Sequence, residues 1–127
     1  MSIAKLELHK SIAKLLDVRL GKFLNESSQH RMLNALTCQQ IFEITFNSLV
    51  EVMTAAKVNL SNEAMNYIAQ QYYDGMLING TQELDPNIFT QRAKLENIET
   101  RELALMALML NGTDFTIPII QEVKRRS

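Results

Sequence analysis

Few residues in this chain could do chemistry, and their spacing works against most of it. The two histidines, His9 and His30, are 21 residues apart, and neither has a cysteine or histidine partner at zinc-ligand spacing. Glu26 and His30 would share a helix face only if a helix began before the turn cluster that surrounds them. Glu96, Glu99 and Glu102 recur at three-residue steps, which could set carboxylates side by side for acid–base or metal work. Thr100 and Arg101 stand among them, so surface polar pairing accounts for the set without catalysis, and the Glu-x-x-His pattern of di-iron bundles is absent. Cys38 is the single cysteine; inside an apolar helical stretch it suits a buried structural role better than an activated nucleophile. There is no Gly-x-Ser-x-Gly elbow, no Gly-x-x-x-x-Gly-Lys loop and no Gly-x-Gly-x-x-Gly turn. The pattern predicts a protein that is not an enzyme and needs neither cofactor nor metal.

What remains is the chemistry of recognition. Tyr67, Gln70 and Tyr73 fall on or beside an apolar helical stripe, and tyrosines with glutamines suit a partner-binding surface as well as a core edge. Seven methionines occur, and Met106 and Met109 lie in a run, Leu-Ala-Leu-Met-Ala-Leu-Met-Leu, that is apolar all round. These five residues are the candidates for binding another protein. A second set is basic: Lys10, Lys14 and Lys22 near the start, and Lys124, Arg125 and Arg126 at the end. If both ends met in space they could neutralise several phosphates of a nucleic acid. The overall balance argues against that use, because 13 basic and 14 acidic residues leave a net charge of −1.

These candidates must be positioned by helices. A helix over 3–24, capped by Ser2, carries Leu8, Ile12, Leu15, Leu16, Leu20, Phe23 and Leu24 at three- and four-residue steps. Ser27 or Ser28 caps a long second helix reaching Lys57. Within it Phe42 to Asn47 alternates like a strand, but no turn signals bound it, so helix is preferred, with a break conceivable near Thr37-Cys38-Gln39. Ser61 caps a third helix, and Leu60 and Met65 stand where a hydrophobic staple would join them. Its stripe is Met65, Ile68, Tyr72, Met76 and Leu77, and Asn79-Gly80 ends it. Asp85-Pro86 opens a short fourth helix ending at Leu95 or Glu96, with Leu84 and Phe89 as a second staple. A fifth runs from Ile98 or Arg101 to Leu110 and stops at Asn111-Gly112; apolar on every side, it is the candidate central helix, or else part of it meets a partner. The last, 116–126, holds Pro118 in its first turn and three cations at its negative end. The Asn-Gly-Thr, Pro and Ile of 79–88 recur 32 residues later in 111–120, which reused cap-and-turn chemistry explains better than a repeat architecture.

The expectation is therefore a single all-α domain over 1–127, a bundle or orthogonal array of five to six helices. One cysteine, no signal-peptide pattern and no apolar run long enough to span a bilayer place it in the cytoplasm, off the membrane. The function expected is protein–protein interaction without catalysis, as an accessory, adaptor or inhibitor protein or a subunit of a larger assembly. The partner would be another protein or a second copy in a homo-oligomer. A nucleic-acid-associated accessory using the basic ends is the alternative. A mobile-element origin, such as a bacteriophage, suits this size and composition, although no residue specifies it.

Overall fold

A computed structural model describes residues 8–26, 35–78 and 88–127. They form helices, as the periodicity predicts: α1 (Leu8–Glu26), α2 (Ala35–Ala55), α3 (Asn62–Ile78), a 3-10 turn (Leu95–Asn97), α4 (Thr100–Met109) and α5 (Thr116–Arg126), with no strand among the described residues. The expected caps at Ser2 and at Ser27 or Ser28, the stop at Asn79-Gly80, the start at Asp85-Pro86 and Leu84 lie outside the described residues, as does most of the first copy of the Asn-Gly-Thr echo.

α1 buries Leu8, Ile12 and Leu16, one residue per turn, and lays that stripe on α2. The alternating stretch of α2 is helical and runs without a break through Thr37, Cys38 and Gln39. Cys38, Ile41, Thr45, Leu49 and Met53 face inward, and the buried Thr45 hydroxyl donates to the Ile41 carbonyl at 2.8 Å. Cys38 packs with Ile41 and Tyr73, which is the structural role foreseen for it. One polar clamp joins the two helices. The Arg19 guanidinium reaches both carboxylate oxygens of Glu51, at 2.7 and 2.9 Å, and donates to the Ser48 hydroxyl at 3.2 Å. These hydrogen bonds hold the Glu51 carboxyl below its ordinary value.

α2 stops without a glycine. Lys57 takes a left-handed φ of 57°, the Lys57 N–H donates to the Thr54 carbonyl at 3.1 Å, and the Val58 N–H donates to the Met53 carbonyl at 2.9 Å. Val58 and Met53 are both buried, completing a Schellman ending with its apolar contact. α3 then starts as predicted. The Ser61 hydroxyl oxygen accepts the Ala64 N–H at 3.2 Å, with Leu60 half-buried and Met65 buried around it.

α3 is the central helix. Ala64, Met65, Tyr67, Ile68, Ala69, Gln70, Tyr72 and Tyr73 are all buried, because α2, α4 and the 3-10 segment cover it from several sides. The sequence assigns that place to α4, and the structure corrects it. α4 buries Leu103, Met106 and Met109 but exposes Ala104 and Leu108, the latter at 45%. With ten residues packed mainly on α5, it has one face in solvent.

The predicted fourth helix is corrected as well. Residues 89–94 are irregular, and only a 3-10 turn follows. The physical reason lies in the backbone donors. The Ala93 N–H donates to Gln70 Oε1 at 3.1 Å and the Lys94 N–H to Glu63 Oε2 at 2.8 Å. Side chains of α3 thus take the N–H groups that a helix would have bonded to its own carbonyls.

α4 and α5 form a hairpin. Its turn uses Gly112 at φ +87°, which glycine adopts without strain. α5 rests Ile119 and Val123 on the core, with Pro118 in its first turn. A ring cluster ties α1 to α3 and to Phe115 just before α5. Tyr72 and Phe115 meet edge-on at 5.2 Å, and the Tyr72 hydroxyl lies 2.6 Å from His9 Nδ1. Burial pushes the Tyr72 hydroxyl well above its ordinary range and His9 below its own. Tyr72 therefore stays protonated and donates to a neutral imidazole, an assignment made from acidity. No helix among the described residues is long and apolar enough to cross a membrane.

Candidate functional site

The five partner-binding candidates do not share a surface. Tyr67, Gln70, Tyr73, Met106 and Met109 are all buried, at 0–7% exposure. Tyr73 meets Phe89 at 5.3 Å and Phe42 at 6.1 Å, both edge-on. Tyr67 lies within the field of Arg92 and Asp74, and burial is the main cause raising its hydroxyl. Gln70 is spent on the Ala93 N–H. Met106 and Met109 are wholly enclosed in the main core. These residues are enclosed, not presented at the surface, because segment 88–97 lies over the α3 face that carries Gln70 and Tyr73, and the core closes over the two methionines.

The basic candidates divide. Lys10, Lys14, Lys22 and Lys124 are exposed. Lys10 and Lys14 share a face of α1, whereas Lys22 is rotated from Lys14 by roughly 80° at 3.6 residues per turn. Arg125 donates twice to Glu122, at 2.9 and 2.6 Å. Arg126 turns inward, donating to Glu122 at 2.8 Å, to Thr100 Oγ1 at 3.0 Å and to the Leu95 carbonyl at 2.9 Å. It thereby locks the end of α5 to the 3-10 turn and to the start of α4. Two of the six cations are thus engaged in holding the fold.

Two surface features compete as a site. The first is a cleft of about 570 Å³ between α2, α3 and segment 88–97. Gln39, Phe42, Glu63, Asn66, Arg92 and Lys94 line it. Two of its charged side chains are committed within the fold. Glu63 accepts the Lys94 N–H, and Arg92 pairs with Asp74 and lies over the Phe89 ring at 4.9 Å. It brings together no histidine, cysteine or serine, and no group of three metal-ligating side chains occurs among the described residues. The arrangement anchors segment 88–97 on α3.

The second feature is apolar. Five large apolar side chains are exposed among the described residues, and three of them, Leu108, Ile117 and Ile120, lie on the two helices of the α4–α5 hairpin. Ile117 is 54% exposed, and Leu108 and Ile120 are 45% exposed. On α5, Ile117 points away from the buried Ile119, and Ile120, three residues on, stands at the border between that exposed side and the half-buried Val123. Leu108 belongs to the all-round apolar run of α4, part of which was expected either to be central or to meet a partner, whereas Ile117 carried no expectation of its own. The alternation of Ile117, Ile119 and Ile120 gave the available signal, since a helix cannot bury all three on one face. Glu102, which its spacing groups with the surface carboxylates, accepts hydrogen bonds from Ser61 at the start of α3.

Comparison of the chain with known protein families, with curated proteins and with solved structures finds no match. The structure defines its class as an all-α helical bundle.

Proposed function

We propose that this protein is a non-enzymatic protein–protein interaction module, an accessory, adaptor or inhibitor protein or a subunit of a larger assembly. Its working surface is the exposed side of the α4–α5 hairpin. The observation that carries this reading is the exposure of Leu108, Ile117 and Ile120 on these two neighbouring helices. Single exposed apolar residues are ordinary, whereas several on adjoining elements mark a surface that another molecule covers. In the polar cleft, Gln70 and Glu63 are engaged in holding segment 88–97.

The test is affinity capture of the tagged protein from its native cells after nuclease treatment, beside the variant Ile117→Asp/Ile120→Asp. The expected result is a stoichiometric protein, either another chain or the untagged copy, that survives nuclease and is lost with the variant. Both substitutions are at exposed positions, and an unchanged circular dichroism spectrum checks the fold. Recovery of nuclease-sensitive material alone, or capture unaffected by the variant, would overturn the proposal.

A further inference from the structure

The exposed side of α5 has an order along its length. Asp114 is exposed immediately before the helix, followed by exposed Ile117, Ile120, Gln121 and Lys124. The Ile117 N–H bonds the Asp114 carbonyl at 3.2 Å and the Thr116 N–H the Thr113 carbonyl at 3.4 Å, so the chain enters α5 through a 3-10 winding. Residues three apart eclipse in such a winding, which sets Asp114 in line with Ile117. Beyond it, Ile117, Ile120, Gln121 and Lys124 continue at steps of three, four and seven along one side of an α-helix. The stripe is therefore acidic at its start, apolar in the middle and basic at its end. Neither Asp114 nor Lys124 has an ion-pair partner among the described residues, although Glu122, Arg125 and Arg126 beside them are fully paired.

We infer that the occupant of this surface is a second copy of the same chain, seated antiparallel with α5 against α5. The inference rests on the interaction reading above and names its partner. A two-fold axis close to Ile119 sets Asp114 opposite Lys124 of the other copy and Lys124 opposite its Asp114. The same axis sets Ile117 opposite Gln121 and brings the Ile120 side chains together near the centre. A stripe that carries opposite charges at its two ends and an apolar middle complements itself when reversed, as an isologous interface requires. A helix of eleven residues buries less than the ~1,200–2,000 Å² of a standard interface, so the dimer is weak and forms at micromolar or higher concentration.

The charges supply the test. Sedimentation velocity over a concentration series is run on the wild type, on Asp114→Lys, on Lys124→Asp and on the double reversal. Wild type is expected to dimerise, less so in high salt. Each single reversal sets like charges opposite one another and weakens the dimer about tenfold or more. The double reversal restores it, and so does mixing the two single variants, which then pair with each other. Restoration by mixing separates a contact from misfolding. A wild type that remains monomeric at the highest concentration, or a dimer indifferent to both reversals, overturns the inference. If a different protein is captured through Ile117 and Ile120 while the purified chain is monomeric, only the second copy falls. If the variant Ile117→Asp/Ile120→Asp changes nothing in either experiment, the interaction surface itself falls.

Discussion

Glu102, in the first turn of α4, completes the cap of α3 that Ser61 begins. Its two carboxylate oxygens accept the Ser61 backbone N–H at 2.5 Å and the Ser61 hydroxyl at 2.9 Å. The hydroxyl oxygen in turn accepts the Ala64 N–H. In a capping box the carboxylate that reaches back to the cap residue comes from the third helical position. Here that position is Ala64, and the carboxylate arrives from 41 residues away. A local motif has become a tie between two helices.

Ser61→Ala and Glu102→Ala should each lower stability by about 1 kcal/mol, the usual worth of a cap. Because both belong to one hydrogen-bonded chain, the double variant should lose less than the two losses combined. Urea unfolding of the four proteins measures this coupling. Strictly additive losses would show that Glu102 does not act through Ser61.

Gln70→Leu removes the acceptor of the Ala93 N–H and leaves that donor half-buried beside α3. A loss of about 1–3 kcal/mol is expected for an unsatisfied buried group, reduced to the extent that water reaches it. Hydrogen exchange gives the sharper reading. The Ala93 amide should exchange faster in the variant while the amides within α2 are unchanged. An unaltered Ala93 rate would mean that Gln70 does not hold the segment.

Lys57 carries the left-handed φ that ends α2. For a residue with a Cβ this conformation costs about 1–2 kcal/mol, and glycine avoids it at an unfolded-state entropy cost of about 0.5–1 kcal/mol. Lys57→Gly should therefore stabilise the protein by roughly 0.5–1 kcal/mol, the difference between the two effects. A rise in melting temperature checks it. A fall would mean that the Lys57 side chain contributes something its exposed position does not indicate.

Glu122 supplies a pH signature. Hydrogen bonds from Arg125 and then Arg126 hold its carboxyl near a pKa of about 2, against an ordinary value of 4.5. A folded-state pKa below the unfolded value means that the unfolded chain binds the proton more readily. The stabilisation is thus fully present above about 4.5 and disappears as pH falls toward 2. The melting temperature of Glu122→Gln should lie below that of wild type at neutral pH, and the gap should close across that window. A gap that stays constant down to the acid end would assign the difference to shape and not to charge.

Much of the local structure was legible in the sequence because its causes are local. The spacing of Leu8, Ile12 and Leu16 specifies a helix and its buried side, and Ser61 with Leu60 and Met65 marks a start. The burial of Cys38 follows from its apolar surroundings. Harder cases have causes outside the segment concerned. The end of α2 shows no stop glycine, since Lys57 accepts the strained conformation and the Met53–Val58 contact holds it there. Asp85-Pro86 predicts a helix through Leu95, yet acceptors on α3 draw off the N–H groups of Ala93 and Lys94.

The candidate site divides along the same line. The sequence by itself determined that the chain is all-α, which side of α1 is apolar, where α3 begins and that α5 ends in three cations. It could not determine which helix is surrounded, because periodicity shows that a face must be covered but not what covers it. Only the tertiary structure decided that α3 is enclosed and α4 is not, which buries Tyr67, Tyr73 and Met106 and leaves Leu108 in water. It also turned Arg126 inward onto Leu95 and Thr100 and left Asp114 and Lys124 without ion-pair partners among the described residues. Local rules act over a helical turn, whereas the exposure of a side chain depends on residues brought beside it from anywhere in the chain.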